Sequence, residues 1–196
     1  VIEGSHTTST LSVSTGPERL AVPTHYRSHY ICTAETHNFP CAIAPFPGGA
    51  TGTGGRIRDV QSVGRGGTPV VATAGYCVGP IDSDHSPPPG ICHPIDILIQ
   101  ASNGASEYGN KFGEPVVAGF ARSNRATSEF PYQWDKPIMF TAGLVLKRDS
   151  HLKKLIPEPG DLIIKIGGPV YRIGIGGGAA SSSANTSRRD LSAVQR

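Results

Sequence analysis

Long apolar runs are missing from this sequence of 196 residues, and none approaches the ~18 consecutive apolar residues of a membrane-spanning helix. An integral membrane protein is therefore not expected. The first sixteen residues lack a basic region followed by an apolar stretch, so no secretory signal is read there. Cysteine is scarce: Cys32, Cys41, Cys77 and Cys92 are the only four, and none falls in a CxxC or a short Cys/His cluster. A structural zinc site is not expected on that spacing, and the four are read as reduced thiols of a cytoplasmic protein. Excess charge is also lacking. Lys plus Arg is 18 against 15 acids, and no basic run forms a nucleic-acid patch, so neither a polyanion nor a membrane is an expected partner.

Glycine is what the sequence has in abundance: 25, with 17 prolines. The glycines cluster between apolar, strand-like runs, which argues for a folded domain with glycine-built loops. Residues 1–29, rich in Ser, Thr and Pro, read as an extended or partly disordered lead-in. Residues 30–34 read as a short buried strand. Pro40, Pro45 and Pro47 are then expected to keep the chain out of helix, with a helix starting only near Arg56 and running to Val63. Residues 69–78, 116–121 and 137–142 read as strands, with loops at 81–90 and 122–135. Ile95, Leu98, Ile99 and Ser102 sit at i, i+3, i+4 and i+7, so 94–107 is the best amphipathic helix. Residues 157–160 form a turn and a domain boundary, followed by strands at 161–166 and 171–175. The class is α/β (α+β), with a domain over 30–156 and the incomplete start of another over 157–196.

The richest stretch is Gly48, Gly49, Ala50, Thr51, Gly52, Thr53, Gly54, Gly55, Arg56, Ile57, Arg58 and Asp59. Glycines there would leave backbone amides bare and allow positive φ, so that a phosphate approaches closely. A helix starting near Arg56 would add its dipole, two arginines could pair with phosphate oxygens, and Asp59 could hold Mg²⁺. A flexible turn is the bland alternative. The spacing is neither GxxxxGK[ST] nor a strand-linked GxGxxG. Just before it, Glu35, Thr36, His37 and Asn38 crowd four polar groups at a strand end. His37 is a candidate general acid/base, or else a histidine satisfied by a backbone carbonyl. His85, His93 and His151 read as surface residues. Residues 103–115 carry turn glycines around Lys111 and Glu114, and 174–183 reads as a second anion-binding loop or, by composition, a linker.

Five strings in register resemble the phosphoribosylformylglycinamidine synthase family, in its large single-chain form: ETHNFP at 35–40, PFPGGATGTGGRIRD at 45–59, NKFGEPVVAGFARS at 110–123, KPIMFTAG at 136–143 and GGPVYRIGIGGGAASS at 167–182. Phe39 stands where many bacterial relatives have a second histidine. The resemblance implies an aminoimidazole-ribonucleotide-synthetase-like N-terminal domain whose sheet pairs with a related domain to make a barrel. It implies ATP and Mg²⁺ as cofactors, and activation of the amide oxygen of formylglycinamide ribonucleotide as an iminophosphate that glutamine-derived ammonia converts to the amidine. By match to the family's motifs, residues 48–59 are implied as a nucleotide-binding loop, Ala118, Gly119 and Phe120 as a second nucleotide contact, and His37 as the active-site histidine. The family's glutaminase domain and principal Mg²⁺ ligands have no counterpart in these residues. The chain thus resembles a portion of the enzyme, inactive alone, whose partners are the remaining synthase and glutaminase domains, or a second copy of itself. Two other readings stay open: a non-catalytic pairing module, and another ATP-binding member of the same fold superfamily.

Overall fold

The computed structural model describes residues 3, 7–13, 21–82 and 84–168. Its elements in chain order are β1 (Thr7–Val13), β2 (Ala21–Thr36), α1 (Asn38–Ile43), α2 (Pro45–Ser62), β3 (Thr68–Val78), α3 (Pro94–Lys111), β4 (Val116–Ser123), β5 (Ile138–Arg148) and a single 3-10 turn, Asp149–His151. The five strands make one mixed sheet in the order β1-β2-β5-β3-β4. Only β3 and β4 run parallel, joined through α3; the β1–β2, β2–β5 and β3–β5 pairs are antiparallel. The α/β class expected from the sequence is the class observed. The barrel is not: the sheet is open, with β1 and β4 as its edges.

The burial rhythm of β5 shows which face carries the core. Met139, Thr141, Val145 and Lys147 are buried, whereas Phe140, Ala142, Leu144 and Leu146 are only half-buried. The helices lie over the first set. The main core joins Cys41, Tyr76, Val78, Ile97, Ala101, Ala105 and Met139, and a second cluster joins Ile31, Val60 and Val145.

The helix at 94–107 is observed as α3, extended to Lys111, with His93 at its N-cap accepting from the Ile95 amide. Four expectations are corrected. Residues 21–29 are not a lead-in but the first half of β2, which pairs with β1. The prolines do not exclude helix. Pro40 and Pro45 fall in first turns, where an N–H has no intrahelical acceptor to lose. The helix expected from Arg56 instead begins at Pro45, so all the glycines from 48 to 55 lie inside it.

Packing explains why so poor a helix-forming string is helical. A Cβ on Gly49 would come within 2.1 Å of the Ala101 carbonyl oxygen, and one on Gly104 within 2.0 Å of that of Phe46. Only glycine lets the α2 and α3 backbones touch at both points, and that contact outweighs the ~1 kcal/mol each glycine loses relative to alanine. Lastly, 161–166 is not a strand: residues 161–168 have no regular structure, and Leu162, Ile163 and Ile166 are exposed. Among the described residues this segment has no partner strand, and an isolated strand leaves its backbone ladder unmade. The strand expected at 171–175 and the loop at 174–183 lie outside the described residues.

Candidate functional site

β2 ends at Thr36 and α1 begins at Asn38, so His37 occupies the joint. Three contacts fix it. Its amide donates to the Met139 carbonyl at 3.0 Å, and its carbonyl accepts from the Cys41 thiol at 3.1 Å. Gly52 of α2 lies against its Cβ, so close that a side chain on residue 52 would meet both His37 and the Met139 sulfur at 2.9 Å. Asn38 Oδ1 accepts from the Met139 amide at 3.2 Å, which ties the same joint to β5 a second time. Burial lowers the His37 pKa below the usual 6.5, partly opposed by the nearby Glu35 carboxylate. A half-buried, neutral imidazole on a rigid joint can accept a proton.

The four cysteines are free. Burial pushes the Cys41 thiol up to about 12, so it stays protonated and unreactive.

The glycine string does not form the expected cradle. None of its glycines has positive φ; those lie elsewhere, at Gly64, Gly66, Gly90, Gly113, Gly160 and Gly167 among the described residues. The string is helical, so its amides are spent in the helix rather than bared to a ligand. The side chains sort by helical period instead. Gly48, Gly49, Gly52, Thr53, Gly54, Arg56 and Ile57 are buried, and Ala50 and Gly55 are half-buried. Thr51, Arg58 and Asp59 are exposed, at i, i+7 and i+8 on one outward stripe.

Arg56, expected to hold phosphate, is fully buried. Its Nη1 donates to Glu114 Oε1 at 3.0 Å, its Nη2 pairs with Glu114 Oε2, and its Nε donates to Thr141 Oγ1 at 3.1 Å. Glu114 reaches this position because Gly113, at φ +73°, reverses the chain after α3, and the Glu114 amide bonds the Gly109 carbonyl. This fork-to-fork pair buckles α2 to β5 and β4. The sequence signal for it was available: Thr53, Arg56, Ile57 and Val60 share one helical face, and two of those four are plainly apolar.

Ala118, Gly119 and Phe120 lie on the exposed edge strand β4. The Ala118 carbonyl accepts from the Thr73 hydroxyl at 2.8 Å, and a Cβ on Gly119 would strike the Ala74 carbonyl. Ala118 lines an open apolar concavity of about 490 Å³ with Cys32, Ala34, Val71, Val117 and Leu144, on the face away from the helices. The structure therefore places Ala118 and the outward stripe of α2 on opposite sides of the sheet. Among the described residues no group of three or more His, Cys, Asp or Glu could hold a metal, which leaves Asp59 as a single exposed carboxylate.

With that geometry in view, comparison with known proteins is specific. The family described as AIR synthase related protein, N-terminal domain, matches residues 19–143. A human phosphoribosylformylglycinamidine synthase is 52% identical over 186 residues, covering 86% of this chain and 14% of its own. A probable chloroplastic/mitochondrial counterpart from Arabidopsis thaliana is 52% identical over 179 residues, covering 84% and 13%. A solved Thermotoga maritima PurL complexed with FGAR aligns at 28% identity and a TM-score of 0.44, over 63% of this chain and 16% of that one. The chain spans about a seventh of the length of the curated relatives it matches. It belongs to the AIR synthase related family, and over most of its length it is similar to phosphoribosylformylglycinamidine synthases.

Proposed function

We propose that this chain serves as the N-terminal synthase-type domain of an ATP-dependent carbon–nitrogen ligase of purine biosynthesis. That enzyme would convert formylglycinamide ribonucleotide to the amidine with glutamine-derived ammonia. The observation that carries the reading is half-identity to phosphoribosylformylglycinamidine synthases across 86% of the chain, a span that includes the His37 joint. In the reaction, ATP phosphorylates the amide oxygen, ammonia attacks the resulting imidate carbon, and phosphate departs. The attacking nitrogen must lose a proton, and His37, held neutral by burial, is suited to take it.

The nucleotide role of α2 is recast by its helicity. Thr51, Arg58 and Asp59 are the groups a ligand can reach, so a hydroxyl, a guanidinium and a carboxylate replace the backbone cradle. Asp59 is the residue that would hold Mg²⁺, since this ion usually takes one or two carboxylates and fills its shell with phosphate oxygens and water. Bound there, Mg²⁺ would offset charge on the transferring phosphoryl group. Arg56, Ile57 and the buried glycines would act through packing.

The open sheet face supports a companion proposal: it pairs with the sheet of another domain of the parent chain, closing the barrel, or with a second copy when that domain is missing. Residues 157–196 would open the next domain, and the enzyme would be cytoplasmic. No helix among the described residues is long and apolar enough to cross a membrane.

Turnover with ammonia in place of glutamine tests the His37 role in the full-length enzyme. His37→Ala should lower it by about 10²–10⁴-fold, the usual range for acid–base catalysis, with ATP affinity little changed. Wild-type ammonia-dependent turnover in a folded His37→Ala enzyme would remove this residue from the mechanism.

A further inference from the structure

The C-terminal end of α2 builds a second concavity, of about 440 Å³, distinct from the His37 joint. Its walls include Tyr26 of β2, Arg65 and Gly66 after α2, Thr68 of β3, Arg148 of β5 and His151. The volume falls within the range of small-molecule sites. No carboxylate lines it, and among the described residues neither Arg65 nor Arg148 forms an ion pair with one.

A helix C-terminus is normally a poor place for an anion, because its last carbonyls carry partial negative charge. Here the final helical carbonyl, that of Ser62, and the two that follow it are covered by cations. Lys147 Nζ donates to the Val63 carbonyl, and Lys154 Nζ donates to the Ser62 and Gly64 carbonyls at 2.8 and 3.2 Å. The acid nearest in sequence, Asp149, is turned to His29 Nε2 at 2.8 Å. Four cations therefore gather at this end of the fold, although the whole chain carries a formal net charge of only +3.

The two guanidinium groups are preorganised. The Arg148 guanidinium lies over the Tyr26 ring, 4.3 Å from its centroid, a cation–π contact that engages no N–H group with a carboxylate. Arg65 is held from behind, its amide donating to the His151 carbonyl at 3.0 Å and its Nη2 to the Ser150 carbonyl. Gly66, at φ +91°, turns the chain sharply between Arg65 and Thr68. Two such forks and a hydroxyl around a concavity suit a tetrahedral oxyanion, and the Tyr26 ring and Leu146 give an apolar wall for what the oxyanion is attached to.

We propose that this pocket binds the phosphate group of a small phosphorylated metabolite, with Arg65 and Arg148 as its ligands. It lies roughly 14 Å along α2 from Gly52, which packs on His37, at 1.5 Å per residue. The site stands whether or not His37 is catalytic.

Calorimetric titration of the 196-residue protein with inorganic phosphate, glycerol phosphate and citrate is the test. Inorganic phosphate binding is expected, with glycerol phosphate tighter because of the apolar wall, and citrate clearly weaker. Arg148→Gln should weaken phosphate binding by about tenfold or more, since a charge-assisted fork is lost. Arg148→Lys should recover part of the loss and His37→Ala should change nothing. Among the described residues the Arg148 side chain has the Tyr26 ring as its partner and no hydrogen bond or ion pair across the fold, so the folded state of Arg148→Gln can be verified by a thermal midpoint close to that of wild type. Unaltered phosphate affinity in Arg148→Gln, citrate binding as tight as phosphate, or no heat with any phosphate compound would each overturn the assignment.

Discussion

The two faces of the sheet are built by different rules. The face under α2 and α3 is closed with polar detail: a buried Arg56–Glu114 pair, the Thr141 hydroxyl beneath it, and glycines that bring backbone against carbonyl. The opposite face is assembled from small and aliphatic side chains, Ala34, Ala142, Val117 and Leu144 among them, with no charged residue in its concavity. A face whose partner is local can afford directional bonds, because the partner's position is set by the same short stretch of chain. A smooth apolar face suits a partner that arrives from elsewhere, where area rather than a single bond decides the fit.

The sharpest way to break this contrast is at Glu114. Glu114→Ala leaves Arg56 charged, buried and unpaired, so unfolding in urea should show a loss of about 3–5 kcal/mol. The joint change Arg56→Met with Glu114→Leu should recover most of it. A loss under about 1 kcal/mol for the single variant would mean that the pair is solvated and the two faces are not so different.

Next in size is Gly49→Val. Its Cβ has no room beside the Ala101 carbonyl, so α2 and α3 must separate, at a cost of about 3 kcal/mol, the upper end for overpacking. Gly55→Ala, at a half-buried position with only the Arg58 side chain nearby, should be neutral or stabilising by the same assay.

The open face is probed by Leu144→Lys. Leu144 is half-buried, so stability should change by less than about 1 kcal/mol, while light scattering at high protein concentration should show less self-association than wild type. Equal association in both would place any pairing surface elsewhere.

The smallest effect expected is on pH dependence. The folded-state pKa of His37 lies below 6.5, so the unfolded chain takes up this proton first. Its contribution is therefore intact above 6.5 and is lost as pH falls through that value, levelling off below the folded pKa. Midpoints measured across this window should fall more for wild type than for His37→Gln. Parallel curves would mean that the imidazole is solvated.

How much of this was legible follows from which residues speak locally. α3 was readable as a helix from its apolar spacing, but its buried face was not: Ile95, Ile99 and Ser102 of the expected stripe are exposed, whereas Ile97, Ala101 and Ala105 face the core. The His37 joint was readable because four polar groups stand together in ETHN. The glycine string misled because propensity is a local quantity, whereas the reason these residues are helical lies some 50 residues away, at Ala101 and Gly104. Arg56 misled for the same reason: next to glycines it looked like a phosphate ligand, and its true partner, Glu114, is 58 residues along the chain. The length of β2 was hidden by Pro23 and the polar run at 24–29, which are compatible with a strand once β1 pairs with residues 21–27 and β5 with residues 28–36.

The reciprocal seating of Gly49 on Ala101 and Gly104 on Phe46 also makes α2 a ruler. A slip of one residue that brought Ala50 to the Ala101 seat would drive its methyl group into that carbonyl, so sliding in that direction is opposed by backbone contact. The spacing between Gly52, under His37, and Gln61, at the rim of the cationic pocket, is thus fixed by backbone contact rather than by soft side-chain packing. Whatever occupies one end of α2 cannot readily shift the other by sliding the helix that way. Communication between the two ends, if selected for, has another route through β5, which carries Met139 at one end and Arg148 at the other.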